Sequence, residues 1–327
     1  MKAMLVDDKQ NLVWSEVDYP TLCDDTIIIE TEAAALNRAD LLQRVGKYPS
    51  PKGWPQWMGL EVAGTIKEMG AVALANSPFK VGDSVCALLG GGGYAEYVAV
   101  PYNMVMPIPR GMSMTDAASL PEAYATSYLN LFYEGHLKKG QTIYIAAGAS
   151  GLASVAIPMA KAFGAKVVTS VLSEEIAKNI AHLGADIVVD TSKTKLEDVF
   201  RQLDEAGEPV NVAMDCLCGE TLGRCMQYMA EGGYWVVIST LAGIETNIAL
   251  RPLLTRGLHL VGSMLRKRSV EEKAALLSEL VFEVWPKLES GEIKPTVYKV
   301  LPMSEAVEAH AILERGENIG KVVLTLK

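Results

Sequence analysis

The chain has 327 residues, of which 50% are hydrophobic, and a formal net charge of −9. A chain of this length is expected to form two domains, and its apolar content is sufficient for a sizeable core in each. The acidic balance, without any Lys/Arg block interleaved with aromatic residues, excludes nucleic acid and anionic membranes as expected partners.

The chain begins directly with a predicted strand, MKAMLV, and not with a charged segment followed by a long apolar core. We therefore expect no targeting or membrane-spanning segment. Five cysteines are an odd number in a chain of this size, which favours reduced thiols and a cytoplasmic location. The spacing of Cys216, Cys218 and Cys225 is not that of a zinc site, so we interpret them as packing residues.

Short β-rich runs separated by Pro, Gly and Asp turns predict a barrel-like, mainly β domain at the start of the chain. The runs are residues 26–32, 61–68 and 94–100. The glycine cluster of residues 90–93 precedes the last run. Because no helix begins after this cluster, a flexible hairpin is favoured there over a phosphate-binding loop.

From Ser113 onwards the pattern is helical, and strand and helix signals then alternate. Such alternation predicts a doubly wound parallel sheet, and hence an α/β fold of two domains. The predicted strands are residues 142–147, a strand ending at Val171, 187–189, 210–215, 233–239 and 258–263. After a helix over 270–290, strands over 295–302 and 321–327 are expected to return to the first domain.

The strand over 258–263 is the last of the parallel sheet and therefore an expected edge. Its sequence, LHLVGS, is mainly apolar. An open apolar edge invites pairing with a second copy, so we predict a homodimer joined through this strand.

The turn AGASGLAS, residues 147–154, lies between a predicted buried strand and a helix. Gly148-x-x-Gly151-x-Ala153 is a relaxed form of the dinucleotide fingerprint. Gly148 is expected to take the tight turn, Gly151 to let a pyrophosphate approach, and Ala153 to allow close packing of helix on strand. Ser150 lies within the same turn. A glycine-rich turn of another α/β domain remains the alternative.

The end of the second strand indicates which dinucleotide is preferred. An NAD-selective site places Asp or Glu there, whereas this chain has Val171. Ser170 and Ser173 beside it can donate hydrogen bonds to a 2′-phosphate. We therefore expect NADPH as cofactor, with NADH as a weaker alternative.

Five segments carry a resemblance to a known family: NRADLLQRVGKYPSPKGWPQWMGLEVAG (37–64), LPEAYATSY (120–128), AAGASGLASVAIPMAKAFGAK (146–166), MLRKRSVEEKAALL (264–277) and NIGKVVL (318–324). They resemble medium-chain dehydrogenases/reductases, and among these the zinc-independent quinone oxidoreductases, closest to the tumour-suppressor-inducible branch. The resemblance implies a GroES-like catalytic domain of residues 1–121 and 265–327. It also implies a Rossmann dinucleotide-binding domain of residues 122–264 that binds NADPH.

The resemblance further implies site residues. Asn37 and Tyr48 fall where such proteins line the substrate side of the nicotinamide, and the simpler interpretations are a turn-stabilising Asn and a packing Tyr. The relatives hold the 2′-phosphate with a lysine and a tyrosine, whose positions here are Glu175 and Thr191. We therefore expect a modest preference for NADPH, with Lys178 partly compensating. The implied cofactor contacts are Thr126, Ser150, Gly151, Leu152, Ser173, Ser239, Leu265 and Asn318.

Positions that match the catalytic zinc ligands of metal-dependent relatives are Asn37, Leu60 and Glu122. A leucine cannot ligate zinc, so we expect no metal. Without a metal to polarise a carbonyl, the acceptor should already be electron-poor, as a quinone or an α,β-unsaturated carbonyl is. Glu61 is interpreted as a buried carboxylate bound to backbone or to an arginine.

These expectations describe an NADPH-dependent quinone oxidoreductase with a small-molecule substrate. One alternative is a 2-enoyl-thioester or alkenal reductase, in which the basic residues Arg266, Lys267 and Arg268 hold an acyl carrier. A second alternative, from another class, is a non-catalytic NADPH-binding protein.

Overall fold

The computed structural model describes residues 1–326, which divide into two compact units. The first unit comprises residues 1–125, 266–291 and 295 onwards, and the second comprises 126–265 and 292–294. Each unit is built around its own sheet.

Fifteen strands are formed within the described residues. They are β1 (Lys2–Val6), β2 (Leu12–Glu16), β3 (Thr26–Ala35), β4 (Glu61–Met69), β5 (Ser84–Leu88), β6 (Tyr97–Pro101), β7 (Val105–Pro107), β8 (Thr142–Ile145), β9 (Lys166–Val171), β10 (Ile187–Asp190), β11 (Val210–Asp215), β12 (Tyr234–Val237), β13 (His259–Gly262), β14 (Val297–Pro302) and β15 (Lys321–Thr325).

The same residues form eleven α-helices. They are α1 (Arg38–Arg44), α2 (Ala71–Asn76), α3 (Met114–Ala118), α4 (Pro121–Tyr128), α5 (Ala153–Ala162), α6 (Glu174–Asn179), α7 (Leu196–Glu205), α8 (Glu220–Met226), α9 (Leu250–Thr255), α10 (Val270–Glu289) and α11 (Ala306–Arg315). A π-helical turn, Leu129–Glu134, extends α4.

The first unit has a seven-stranded sheet in the order β14-β15-β3-β4-β5-β7, with β6 also paired to β3. Strand β3 lies at the centre of this sheet. Its three isoleucines, Ile27 to Ile29, are all fully buried, as expected of a central strand whose side chains are apolar on both faces. The pairs of β3 with β4, β6 and β15 are antiparallel. The two strands at the end of the chain thus join the sheet of the first unit, as the sequence predicts.

The second unit has six strands in the order β10-β9-β8-β11-β12-β13, and every neighbouring pair is parallel. Counted within the unit, this is the order 3-2-1-4-5-6 of a doubly wound dinucleotide-binding sheet. The prediction of an α/β fold with such a sheet is confirmed. The strand order reverses between β8 and β11, and β13 is an edge.

The core of the second unit is organised around three aromatic rings. Trp235 and Phe200 are fully buried, and the ring centroids of Tyr144 and Phe200 lie 5.4 Å apart. The indole N–H of Trp235 donates to Asp215 Oδ2 at 3.1 Å, which satisfies its polar group in the interior. The five cysteines are free thiols. Among residues 1–326, no helix has both the length and the hydropathy needed to cross a bilayer.

One polar residue in the first unit is buried without partners. His310, in α11, is fully buried, and neither ring nitrogen has a hydrogen-bond partner among the described residues. Its ring packs edge-on against Tyr94 at a centroid distance of 6.0 Å. Burial, together with the charge of Arg44, lowers the pKa of His310 to about 4.

We predict that His310→Leu removes an acid-sensitive contribution to stability. Between about pH 6.5 and 4 this histidine is protonated in the unfolded chain, where its pKa is about 6.5, but neutral in the folded chain. The free energy of unfolding therefore falls as pH drops from about 6.5 to 4. The contribution lost is about 3 kcal/mol. Urea unfolding at several pH values should show a flatter profile for the variant, while the exposed His182→Leu leaves it unchanged. Identical profiles for His310→Leu and the wild type would contradict this origin.

Candidate functional site

The turn after β8 presents unpaired backbone donors. Ser150 N donates to Ala147 O at 2.8 Å, and Ser150 Oγ accepts from Ala153 N at 3.1 Å, which closes the turn and starts α5. Unpaired N–H groups before a helix are the donors that a pyrophosphate requires, so this turn fits a dinucleotide. Three N–H groups of the turn have no acceptor within residues 1–326: those of Ala149, Gly151 and Leu152.

Gly148 serves the turn in a different way from the predicted one. The left-handed residue is Ala147, with a φ of 54°, and not Gly148. A Cβ at Gly148 would lie 2.6 Å from Thr169 Oγ1, and that hydroxyl already donates to Ile145 O at 2.6 Å. Gly148 is therefore needed for the close approach of the turn to β9.

Ser170 and Ser173, near the end of β9, differ in their availability. Ser170 is 4% exposed and its Oγ lies 2.8 Å from the hydroxyl of Tyr144, so its hydrogen-bonding capacity is used inside the unit. Ser173 is half-buried and caps α6, with its Oγ accepting from Ile176 N at 3.3 Å. This arrangement favours Ser173 over Ser170 as a phosphate contact.

Two lysines converge on Glu174, immediately after Ser173. Lys178 Nζ lies 2.9 Å and Lys193 Nζ 2.5 Å from its two carboxylate oxygens. Hydrogen bonds from both lysines lower the pKa of Glu174. Lys178 does reach back, as expected, but to this carboxylate. Glu175 is exposed and has no ion pair among the residues described.

Asn37 caps α1, and its amide lies between two charged groups. The amide nitrogen donates to Glu61 Oε1 at 2.9 Å, and Lys321 Nζ donates to the amide oxygen at 2.6 Å. An amide NH₂ has two donors, so one N–H of the half-buried Asn37 remains available. Asn37 is thus more than a turn-stabilising residue.

Glu61 and Lys321 form the buried ion pair of this network. Their charged atoms are 2.7 Å apart, and the side chains are 0% and 4% exposed. Glu61 Oε2 also accepts from the backbone N–H of Glu122 at 2.8 Å. The interpretation of Glu61 as a buried, backbone-bound carboxylate is confirmed, although its cation is a lysine and not an arginine.

Asp40, on the first turn of α1, extends the network into the core. Its carboxylate accepts from the N–H groups of Asn37 at 2.7 Å and Gly59 at 3.0 Å, and from the hydroxyl of Tyr94 at 3.1 Å. Burial raises the pKa of Asp40 to about 6 in spite of these bonds. The only feature of the sequence pattern that hints at the burial of Asp40 and Lys321 is their position beside apolar runs.

Tyr48 lies in the loop after α1, and Arg266 holds it there. The guanidinium lies 4.7 Å from the centroid of the Tyr48 ring and donates to the Tyr48 carbonyl at 3.0 Å. It also donates to Gly90 O and to the side chains of Gln43 and Ser50. Burial, followed by the charge of Glu122, raises the pKa of Tyr48, so the phenol keeps its proton. Arg266 is therefore not part of a solvated basic face.

The glycine cluster 90–93 is not a flexible hairpin, and that prediction is wrong. All four glycines are buried. A Cβ at Gly90 would lie 2.6 Å from the Trp54 ring, and one at Gly92 would lie 2.8 Å from Pro55. The cluster is glycine-rich because residues 45–60, which connect α1 to β4 and which we call the Tyr48 loop, pack directly on its backbone.

Two predicted cofactor residues in the second unit lie outside the turn. Thr126 lies in α4 and its carbonyl accepts from Asn130 Nδ2 at 2.7 Å. Ser239 follows β12, and its carbonyl accepts from the thiol of Cys218 at 3.1 Å. Both are half-buried.

Leu265 and Asn318 are the remaining predicted contacts. Leu265 is 6% exposed and ends the main segment of the second unit. Asn318 belongs to the first unit, where its amide donates to Gly320 O at 2.7 Å just before β15. The turn after β8 thus brings together Gly148, Ser150, Gly151 and Leu152, while the other predicted residues lie on separate segments.

Two family models match the chain. The model described as an alcohol dehydrogenase GroES-like domain matches residues 23–110, and the one described as a zinc-binding dehydrogenase matches residues 151–281.

Individual proteins match over nearly the whole chain. A quinone oxidoreductase-like protein 2 homolog of Nematostella vectensis is 29% identical over 100% of this chain and 87% of its own. A 2-methylene-furan-3-one reductase of Solanum lycopersicum is 32% identical over 95% and 74%. The solved quinone oxidoreductase of Thermus thermophilus, also described in complex with NADPH, superposes with a TM-score of 0.82 at 26% identity over 100% of both chains.

We predict that Gly151→Asp abolishes dinucleotide binding without unfolding the chain. The substitution places a carboxylate in the turn whose three N–H groups have no acceptor among the described residues, and its charge would repel a pyrophosphate. Fluorescence titration with a reduced dinucleotide should show no saturable binding, whereas the neutral Gly151→Ala should retain it. Unchanged binding in a folded Gly151→Asp protein would show that the turn serves packing alone.

Proposed function

The chain belongs to the medium-chain dehydrogenase/reductase family, among its quinone oxidoreductase-like members, and we propose that it is an NADPH-dependent quinone oxidoreductase. Family membership makes it an oxidoreductase. The assignment to the tumour-suppressor-inducible branch stays a prediction.

The observation that carries the proposal is the amide of Asn37, fixed by two charged groups with one N–H still available. NADPH, when bound, supplies the hydride, and the quinone takes up that hydride and one proton to become the hydroquinone. Charge then develops on an acceptor oxygen. A fixed N–H and a protonated phenol are donors suited to that charge, and preorganised donors of this kind are a major catalytic contribution. Asn37 and Tyr48 would supply them.

The NADPH fit rests on the second unit. The three free N–H groups of the turn suit the pyrophosphate, and Ser173 suits the 2′-phosphate. Gly148, Ser150, Gly151 and Leu152 would then line the dinucleotide, and Thr126, Ser239, Leu265 and Asn318 remain proposed contacts.

We further propose that the reaction needs no zinc. Leu60, at a position that would have to ligate it, is 1% exposed and apolar. A cation already lies beside Asn37, a second position that matches a zinc ligand, because the Lys321 ammonium contacts both Asn37 and Glu61. A second cation there would be repelled.

The assignment of a function to each domain is also a proposal. Residues 1–121 and 265–327 would form the catalytic domain and residues 122–264 the dinucleotide-binding domain. A cytoplasmic location is supported by the odd number of thiols.

The alternative activity is reduction of an alkenal or a 2-enoyl thioester. The Solanum lycopersicum relative, whose name gives a conjugated ketone as its substrate, favours an enone. A carrier-bound thioester is less well supported, because Arg266 is bound to Gly90, Tyr48, Gln43 and Ser50 and is 7% exposed. Only Lys267 of the basic triplet is exposed.

We predict that the wild type oxidises NADPH with quinones, in the presence of a metal chelator, faster than with enones or enoyl thioesters. Asn37→Ala should lower kcat by about a hundredfold, because an oxyanion donor is lost. The exposed Asn76→Ala, which removes an amide from α2, is the matched control. Faster turnover of enones would favour the alternative, and loss of activity in chelator together with a bound zinc would overturn the zinc-free proposal.

We predict that Glu175→Lys strengthens NADPH binding and leaves NADH binding nearly unchanged. The substitution replaces an unpaired carboxylate near Ser173 with a cation, and a charge-assisted bond to phosphate corresponds to roughly a ten- to hundredfold gain in affinity. The gain should shrink as salt is added. Glu16→Lys, on β2, makes the same change in net charge in the other unit. An equal gain for both cofactors would place the 2′-phosphate elsewhere.

We predict a homodimer joined through β13. This strand is a sheet edge with Leu260 47% exposed, and the segment before it carries Ile244, Leu250 and Leu254 at 84%, 73% and 82% exposure. Light scattering should give twice the chain mass for the wild type and the chain mass for Leu254→Glu combined with Leu260→Glu. The control Leu74→Glu changes an exposed leucine of the other unit. A monomeric wild type at micromolar concentration would exclude this dimer.

A further inference from the structure

Lys321 is a lysine whose ammonium group is fully used inside the first unit. Nζ donates to Leu36 O at 2.7 Å and to Asn37 Oδ1 at 2.6 Å, and it lies 2.7 Å from Glu61 Oε1. These three contacts account for its three N–H donors. A buried ion pair is seldom better for stability than apolar residues of the same volume, so the pair calls for a reason other than stability.

The pair fixes which way round the Asn37 amide lies. An ammonium group can only donate and a carboxylate can only accept, so the amide oxygen must face Lys321 and the nitrogen must face Glu61. The reversed amide would set N–H against ammonium and oxygen against carboxylate. One N–H is thereby committed to Glu61, and the direction of the other is determined.

Lys321 also strengthens the remaining N–H as a donor. A charged donor on the amide oxygen draws electron density from the nitrogen, and hydrogen bonds in a chain polarise one another. Lys321 is 4% exposed, so solvent screens this effect little.

We propose that Lys321 is a positioning residue that acts on the acceptor through Asn37, by fixing the Asn37 amide and strengthening its free N–H toward the oxygen that gains charge. This inference rests on the proposed function. Lys321 itself touches neither acceptor nor cofactor in this scheme.

The test compares neutral replacements that keep the burial of charge balanced. Lys321→Met alone would leave Glu61 as an unpaired buried charge, so the main variant combines Lys321→Met with Glu61→Gln. The introduced glutamine can accept from Glu122 N only by turning its NH₂ toward Asn37, which releases the Asn37 orientation. The control combines Lys161→Met with Asp186→Asn, which removes a 2.7 Å ion pair of the second unit.

We expect the main variant to remain folded and to bind NADPH as the wild type does in a fluorescence titration. Its kcat with quinones should fall about tenfold with KM nearly unchanged, as for an interaction made only in the transition state. The control should retain kcat. An unchanged kcat in the folded variant would overturn the inference.

A second readout does not depend on turnover. The probe is 4-nitrophenol, titrated by absorbance in the presence of NADP⁺, because its phenolate imitates the charged oxygen of the reduced acceptor. The wild type should favour the ionised probe and shift its titration to lower pH, and the main variant should lose that shift. A wild type without the shift, or a variant that keeps it, contradicts the inference. If no quinone or enone is turned over, the proposed function fails while this titration still decides the role of Lys321.

Discussion

Burial of charge is the constraint on which the first unit depends. Asp40, Glu61 and Lys321 are each at most 4% exposed, and a charge in such surroundings persists only if several donors or acceptors surround it. The groups that satisfy them come from distant segments: the end of β3, the start of α1, the loop before β4, the start of α4 and the first residue of β15. The network therefore joins residue 36 to residue 321. It gives a physical reason for the return of the end of the chain to the first sheet, beyond the apolar pairing of β15 with β3.

A second network, also built around a buried charge, holds Tyr48, the other proposed donor. Arg266 is buried, and it joins the Tyr48 loop to Gly90 and to Gln43 on α1. The loop packs so closely on the glycine cluster that side chains at the cluster positions would clash with it. A different position of the loop would lose the Arg266 contacts. Desolvation lowers the pKa of Arg266, yet a guanidinium keeps its proton, which makes arginine suitable for a structural role of this kind. Asn37 and Tyr48 are thus held by charges that are themselves fixed by the fold.

The sequence predicts what depends on periodicity and misses what depends on packing. The alternation of apolar segments is sufficient for the parallel sheet, its edge at β13 and the turn at 147–154, because these follow from local pattern. The burial of Ser170 is not predicted, because a short strand does not tell which face its polar residue occupies. The prediction of a flexible hairpin over residues 90–93 is wrong because a run of glycines has the same sequence pattern whether solvent or Trp54 covers it. Lys321 and Arg266 are missed because basic residues are usually exposed, and only their distant partners make burial possible.

The arrangement around Asn37 has a consequence for the class of acceptor. A zinc ion would place its charge directly on a carbonyl oxygen, whereas in the proposed scheme the charge of Lys321 would reach the acceptor only through the Asn37 amide. Hydrogen bonds from neutral donors contribute about 0.5–1.5 kcal/mol each and those involving a charged group about 1.5–3 kcal/mol, so a polarised amide belongs between these ranges. Such a donor can stabilise charge that is already delocalised over a conjugated system, but it is poorly matched to the concentrated charge of a simple alkoxide. In the role that we propose for Asn37, the buried ammonium favours quinones and enones over isolated ketones or aldehydes, because the cation acts through the amide and not directly on the reacting oxygen.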